Sequence, residues 1–123
     1  INGSVLANGN KGINHGGGSG GGIFIRSVGF HGGPLAQISA KGGDGNTDKD
    51  GAGGGGRIAV WYGRSWETEP APADLIISET PPPTFLGTLS VDPGQVSFTN
   101  DSEPGTIRFV TIRKPLGTVI SIR

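Results

Sequence analysis

The chain has 123 residues, enough for one ordinary domain or part of a larger one, and its ten basic and ten acidic residues give a formal net charge of zero. That balance excludes a broad electrostatic footprint for nucleic acid or an anionic membrane, and the absence of cysteine excludes disulfides and Cys-ligated metal. Hydrophobic residues amount to only 33% because 25 residues are glycine, and no apolar run is long enough for a membrane span or a signal peptide. The chain starts at Ile1 and has no methionine, which reads as a processed or excised piece whose targeting signal would lie outside it.

Val5–Leu6–Ala7–Asn8–Gly9 predicts a short strand that ends in Ala and is followed by Asn-Gly. A glycine run from Gly16 to Gly22, broken by Ser19, then leads into Ile23–Phe24–Ile25, whose alternation puts both isoleucines on one face. The same order returns with Ile38–Ser39–Ala40–Lys41–Gly42, a polar segment around Asn46 to Asp50, the run Gly51 to Gly56, and Ile58–Ala59–Val60. The first strands are offset by 33 (38 minus 5) and the second by 35 (58 minus 23), so the second copy carries two extra residues. Residues 67–84 turn acidic and proline-rich, a stiff excursion or linker in which Leu75–Ile76–Ile77 is a short strand able to pin it to a neighbour. A fainter third copy follows, with Leu86–Val91 and Gly105–Val110 as its strands. Val5 to Ile23 and Leu89 to Ile107 are both 18 apart (23 minus 5; 107 minus 89). Gln95–Thr99, Thr106–Ile112 and Thr118–Ile122 are β-branched runs separated by Pro-Gly and Pro-X-Gly turns. The chain thus divides into a two-copy glycine-rich region (1–66), the excursion (67–84) and a strand region with the third copy and a C-terminal pairing strand (85–123).

Helix is disfavoured almost everywhere, since glycine costs about 1 kcal/mol relative to alanine in a helix interior and no window shows apolar spacing of three and four. Glycine also adds about 0.5–1 kcal/mol of chain entropy per residue to folding, so a lone fragment of this composition is marginal unless it stacks on neighbours. A bundle of polyproline-II helices fits the glycine runs but leaves Ile-Phe-Ile and Ile-Ala-Val-Trp-Tyr unexplained. The expected fold is therefore all-β: a glycine-rich parallel β-solenoid of about three imperfect copies with a Pro-rich excursion, the glycine runs serving as tight, closely packed bends.

Four oxygen-bearing residues at alternate positions, Asp44, Asn46, Asp48 and Asp50, are the candidate metal ligands, for Ca²⁺. Lys49 stands where an EF-hand loop needs glycine, so a solvated polar turn is the preferred reading and no resident cofactor is expected. The glycine runs lead into strands and no Gly-Lys-Ser/Thr follows them, which argues against a phosphate cradle. Trp61, Tyr62 and Trp66 form the aromatic cluster, available either for stacking on sugar rings or for packing. His15 and His31 have no acid nearby at catalytic or metal-ligand spacing. The terminal run Thr118, Val119, Ile120, Ser121 and Ile122 is the candidate assembly strand, able to add to another subunit's sheet edge. Arg113, Lys114 and Arg123 beside it can meet the acidic 67–79 stretch of a neighbour.

The pattern G-G-G-S-G-G-G-I-F-I, A-Q-I-S-A-K-G-G-D-G and G-G-G-G-R-I-A-V-W-Y resembles the glycine-rich repeats of large bacterial surface proteins. The resemblance covers Val5 to Tyr62 well and Phe85 to Val110 loosely, and it implies an exported, parallel β-helical, adhesin-like protein. No catalytic residues carry over from it. The resulting expectation is a non-enzymatic structural protein, extracellular or at the cell surface: part of a fibre, sheath or adhesin stalk that self-associates into an oligomer or filament by strand stacking. The alternative is a carbohydrate-binding or carbohydrate-active β-helix module with glycan on the aromatic cluster.

Overall fold

A computed structural model describes residues 1–46, 50–67, 69–96 and 102–112. Its strands are β1 (Ser4–Leu6), β2 (Gly22–Arg26), β3 (Gln37–Ser39), β4 (Arg57–Trp61), β5 (Leu75–Ser78), β6 (Thr88–Ser90) and β7 (Thr106–Ile112), with one short 3₁₀ turn at Pro72–Asp74 before β5. The strands that the repeat aligns are the ones that pair. In the first sheet, ordered β1-β3-β6, Val5 lies opposite Ile38 and Ile38 opposite Leu89, all parallel. In the second, ordered β2-β4-β7-β5, Ile23 lies opposite Ile58 and Ile58 opposite Ile107, again parallel. The excursion returns as β5, antiparallel to β7, with Ile77 opposite Val110.

The expected parallel β-solenoid is not formed. The sheets remain open, with three and four strands, and neither closes nor curls strongly. The physical reason lies in the glycine runs, which are not bends. They continue beyond the strands as segments that bond laterally to one another. The Gly17 and Gly20 N–H groups donate to the Gly51 and Gly54 carbonyls, both at 2.9 Å, while Gly18 and Gly21 donate to Asn10 and Ala7 at 2.9 and 2.7 Å. The partner recurs every third residue. That is the period of a polyproline-II-type helix, whereas strand faces recur every second. The same three-residue step takes Gly9 and Gly12 to Lys41 and Asp44, Gly42 and Gly45 to Asp92 and Gln95, and Gly53 and Gly56 to Gly43 and Ala40. The polyproline-II bundle thus describes one half of the molecule and paired strands the other.

These bonds run between the two layers as well as within them. Residues 7–12, 40–45 and 91–95 extend the first sheet, and 16–21, 51–56 and 103–105 extend the second. Gly18 bonds to Asn10, Gly43 to Gly18, Gly53 to Gly43, Gly94 to Gly53 and Gly105 to Val91, so each of the four inner segments nests between two of the opposite layer. Only glycine permits that approach. A Cβ on Gly9 would overlap the Gly18 carbonyl, one on Gly17 the Gly43 carbonyl, and one on Gly42 the Gly53 carbonyl.

Away from the bundle the layers separate enough to admit side chains. Ile38, Ile58, Val60 and Phe109 are buried between the sheets, each contributing about 1.5–3 kcal/mol by leaving water. Phe30 and Phe85, stacked with centroids 5.0 Å apart, join the same core, and the Thr84 hydroxyl donates to the Phe30 carbonyl at 2.6 Å. Gly63, at φ +93°, makes the turn after β4.

Two glycines of one run, on either side of Ala52, separate the steric argument from composition. Gly53→Ala is expected to lower stability by about 1–3 kcal/mol or more, because backbone has to move to make room. Gly51→Ala, whose Cβ would meet nothing within 4 Å, is expected to be neutral or to stabilise by about 0.4–1 kcal/mol. Thermal unfolding of the two variants beside wild type checks this, and equal effects would remove the close-approach explanation.

Candidate functional site

Side chains leave the outer side of the first layer at the same three-residue step that its hydrogen bonds follow. Asn8, Lys41 and Asp92 form one rank across the three copies, and Lys11, Asp44 and Gln95 form the next. A polyproline-II rise sets the ranks about 9 Å apart. They line a surface groove of about 590 Å³ floored by glycine backbone. Part of its polarity is structural. Asn8 Oδ1 accepts the Ser39 hydroxyl at 2.6 Å and the Lys41 N–H at 2.8 Å. Asp44 Oδ1 accepts the Gln95 N–H at 2.9 Å. In each case a side-chain oxygen of one copy holds the in-register N–H of the next, satisfying backbone that the ladder leaves open. Two lysines and two aspartates balance the groove's charge, and its lining has no hydroxyl, thiol or imidazole. Chemically it is a hydrogen-bonding trough.

The aromatic residues do not converge on one platform. Trp61 and Tyr62 are consecutive and face opposite sides. Tyr62 turns inward, edge-on to Phe109 and tilted on Phe30. Trp61 turns outward, between Phe24 at 5.9 Å and Trp66 at 5.0 Å. Trp66 is buried, and its indole N–H has no hydrogen-bond partner among the described residues, a cost of about 1–3 kcal/mol. Arg26 seals the cluster: its guanidinium donates to the Trp66 carbonyl at 2.6 Å, approaches Glu69 at 3.3 Å and lies over the Trp61 ring at 5.9 Å. Arg64 lies over Trp66 at 5.6 Å, and Arg26, Arg64 and Trp66 share a smaller cleft of about 280 Å³. Trp61, Trp66 and the unforeseen partners Phe24 and Arg26 are therefore packed together. The alternation of β2 and β4 could have signalled this, since it sets Phe24 opposite Ala59 and Arg26 opposite Trp61.

Of the candidate calcium ligands, Asp48 lies outside the described residues, Asp44 is engaged with Gln95, and Asp50 is half-buried. Among the described residues no three His, Asp or Glu side chains gather at metal-holding distance. The candidate assembly strand Thr118–Ile122 and its basic neighbours Arg113, Lys114 and Arg123 lie outside the described residues, as does most of Gln95–Thr99. No helix among the described residues is long and apolar enough to cross a membrane. Comparison with known proteins found no matching family model, no matching curated protein and no matching solved structure.

The brace from Asp44 to the third copy yields a graded expectation. Asp44→Ala is expected to cost about 0.5–1.5 kcal/mol in urea unfolding, while Asp44→Asn, which keeps the acceptor oxygen, retains most of the stability. Equal losses in both would show that charge, and not the hydrogen bond to Gln95, carries the contribution.

Proposed function

We propose that the protein is a structural element of the cell surface, a stalk or sheath segment that joins its neighbours through strand edges and carries out no reaction. One observation carries this reading: successive copies are knit residue by residue, in register, through backbone bonds that any further copy could continue. Such a core depends little on side-chain identity outside the apolar half, and a rod built this way keeps its shape under load because its backbone groups are paired.

Placement outside the cell rests on the resemblance of the glycine runs to bacterial surface repeats. The asymmetry of the ends favours a stalk over a fibre that grows without limit. The antiparallel β5 closes one end of the second sheet, and Pro70, Pro72 and Pro81 to Pro83 flank it with Asp74 and Glu79. Among the described residues the other end carries no such guard.

Light scattering on the purified chain, with negative-stain electron microscopy, tests self-association. Defined particles heavier than one chain are expected, in proportions that rise with concentration. A single-chain mass throughout the accessible concentration range would overturn the reading, and so would saturable quenching of tryptophan fluorescence by oligosaccharides, which would point to a glycan-binding module.

A further inference from the structure

We infer that the open edge made by β1 and β2 binds the same edge of a second copy of this chain, about a twofold axis parallel to the strands, so that β1 pairs antiparallel with the partner's β2 on both sides of the seam. This pairing rests on the self-association reading above and names its surface, its partner and its stoichiometry.

The edge has backbone groups to offer. Ala7 N–H donates to Ser39 and Gln37 N–H to Gly3, so the odd-numbered peptide groups of β1 face β3 and those of Ser4 and Leu6 face outward. Ser27 N–H donates to Trp61 and Arg57 N–H to Gly21, so Gly22, Phe24 and Arg26 face outward from β2 in the same way. Among the described residues no strand pairs with either edge. The seam would widen both sheets at once, as each added copy does within the chain, but with antiparallel in place of parallel pairing.

The far end cannot provide the complementary surface. There the sheets are unequal, three strands against four, so a head-to-tail neighbour that met one sheet would leave a gap at the other. At the near end the layers differ only by the stagger of the bundle, in which 16–21 nests between 7–12 and 40–45. The bonds from Gly18 to Asn10 and from Gly21 to Ala7 show that β1 and β2 run in opposite directions. A twofold axis along the strands exchanges the layers and continues that stagger across the seam. It also sets glycine segments against glycine segments and the apolar half against the apolar half.

Side chains agree with this arrangement. Leu6 and Phe24, 56% and 59% exposed, are both on the outer faces of their sheets, while Val5, Ile23 and Ile25 face inward to the core. Kept at the heights that the Gly21–Ala7 bond sets, antiparallel pairing places Ser4 opposite the partner's Phe24 and Leu6 opposite the partner's Gly22, so that Leu6 and the partner's Phe24 are diagonal neighbours on the outer face, two apolar contacts that a single chain leaves in water.

Sedimentation velocity of the full chain over a concentration series tests the edge. Wild type is expected to form dimers, and Phe24→Pro to weaken them at least tenfold, because it deletes an outward N–H that no strand among the described residues uses. Its circular dichroism and melting temperature should stay near those of wild type. If Phe24→Pro unfolds, Phe24→Lys takes its place, since it sets a charge opposite the partner's Ser4 and diagonal to its Leu6 without deleting a backbone group. Dimers that persist in the folded variant would overturn the edge while self-association stands. Species that grow without limit would overturn the twofold axis. Wild type that remains a monomer would overturn both the edge and the reading beneath it.

Discussion

The molecule depends on the contact of backbone with backbone between two layers, which only glycine allows. Where Gly9, Gly17, Gly20, Gly42 and Gly55 face the opposite layer, its carbonyls leave no room for a Cβ, and hydrogen bonds cross directly from one main chain to the next. That contact sets the spacing of the layers at one end. The apolar side chains of β2, β3, β4 and β7 set a wider spacing at the other, with Ile38, Ile58, Val60 and Phe109 between the sheets. Each half settles the other's geometry: the bundle aligns the strands in register, and the core between the sheets holds together the layers whose backbone groups the bundle pairs.

This division of labour explains why chemistry is sparse and architecture prominent. In the bundle two of every three positions are used for close approach or lateral bonding, so only the third can carry an outward side chain. On the first layer those positions hold Asn8, Lys11, Lys41, Asp44, Asp92 and Gln95, of which Asn8 and Asp44 brace one copy against the next. The aromatic side chains are committed to packing, with Arg26 as the clasp over Trp61 and Trp66. What remains among the described residues is the shape of the whole and its edges. Of these, the end at β5 is guarded by prolines and acids and the end at β1 and β2 is open.

Much of the strand pairing was legible in the sequence. Offsets of 33 and 35 between the copies, and the equal 18-residue spacing in the first and third, are the registers found in the two sheets. Leu75–Ile77 was readable as a pinning strand, and it does pin the excursion, to β7. The solenoid failed at the glycine runs. Taken as bends, they imply coils; laid side by side with a period of three, they give a bundle and two open sheets. The aromatic cluster was legible as a cluster but not in its directions: three aromatics lie close in sequence, and a strand turns Trp61 and Tyr62 to opposite faces.

The sequence by itself determined the copies, their alignment and the places where apolar side chains alternate, because those depend on spacing along one chain. It also carried the three-residue period, in the outward residues spaced between glycines, but nothing local says what a glycine run lies against. Tertiary structure alone decided that, since an extended glycine segment has no internal hydrogen bonds and takes its conformation from whichever backbone satisfies its N–H and C=O groups. Here the partner is the opposite layer, and that choice turned punctuation between strands into the half of the molecule that holds the copies together.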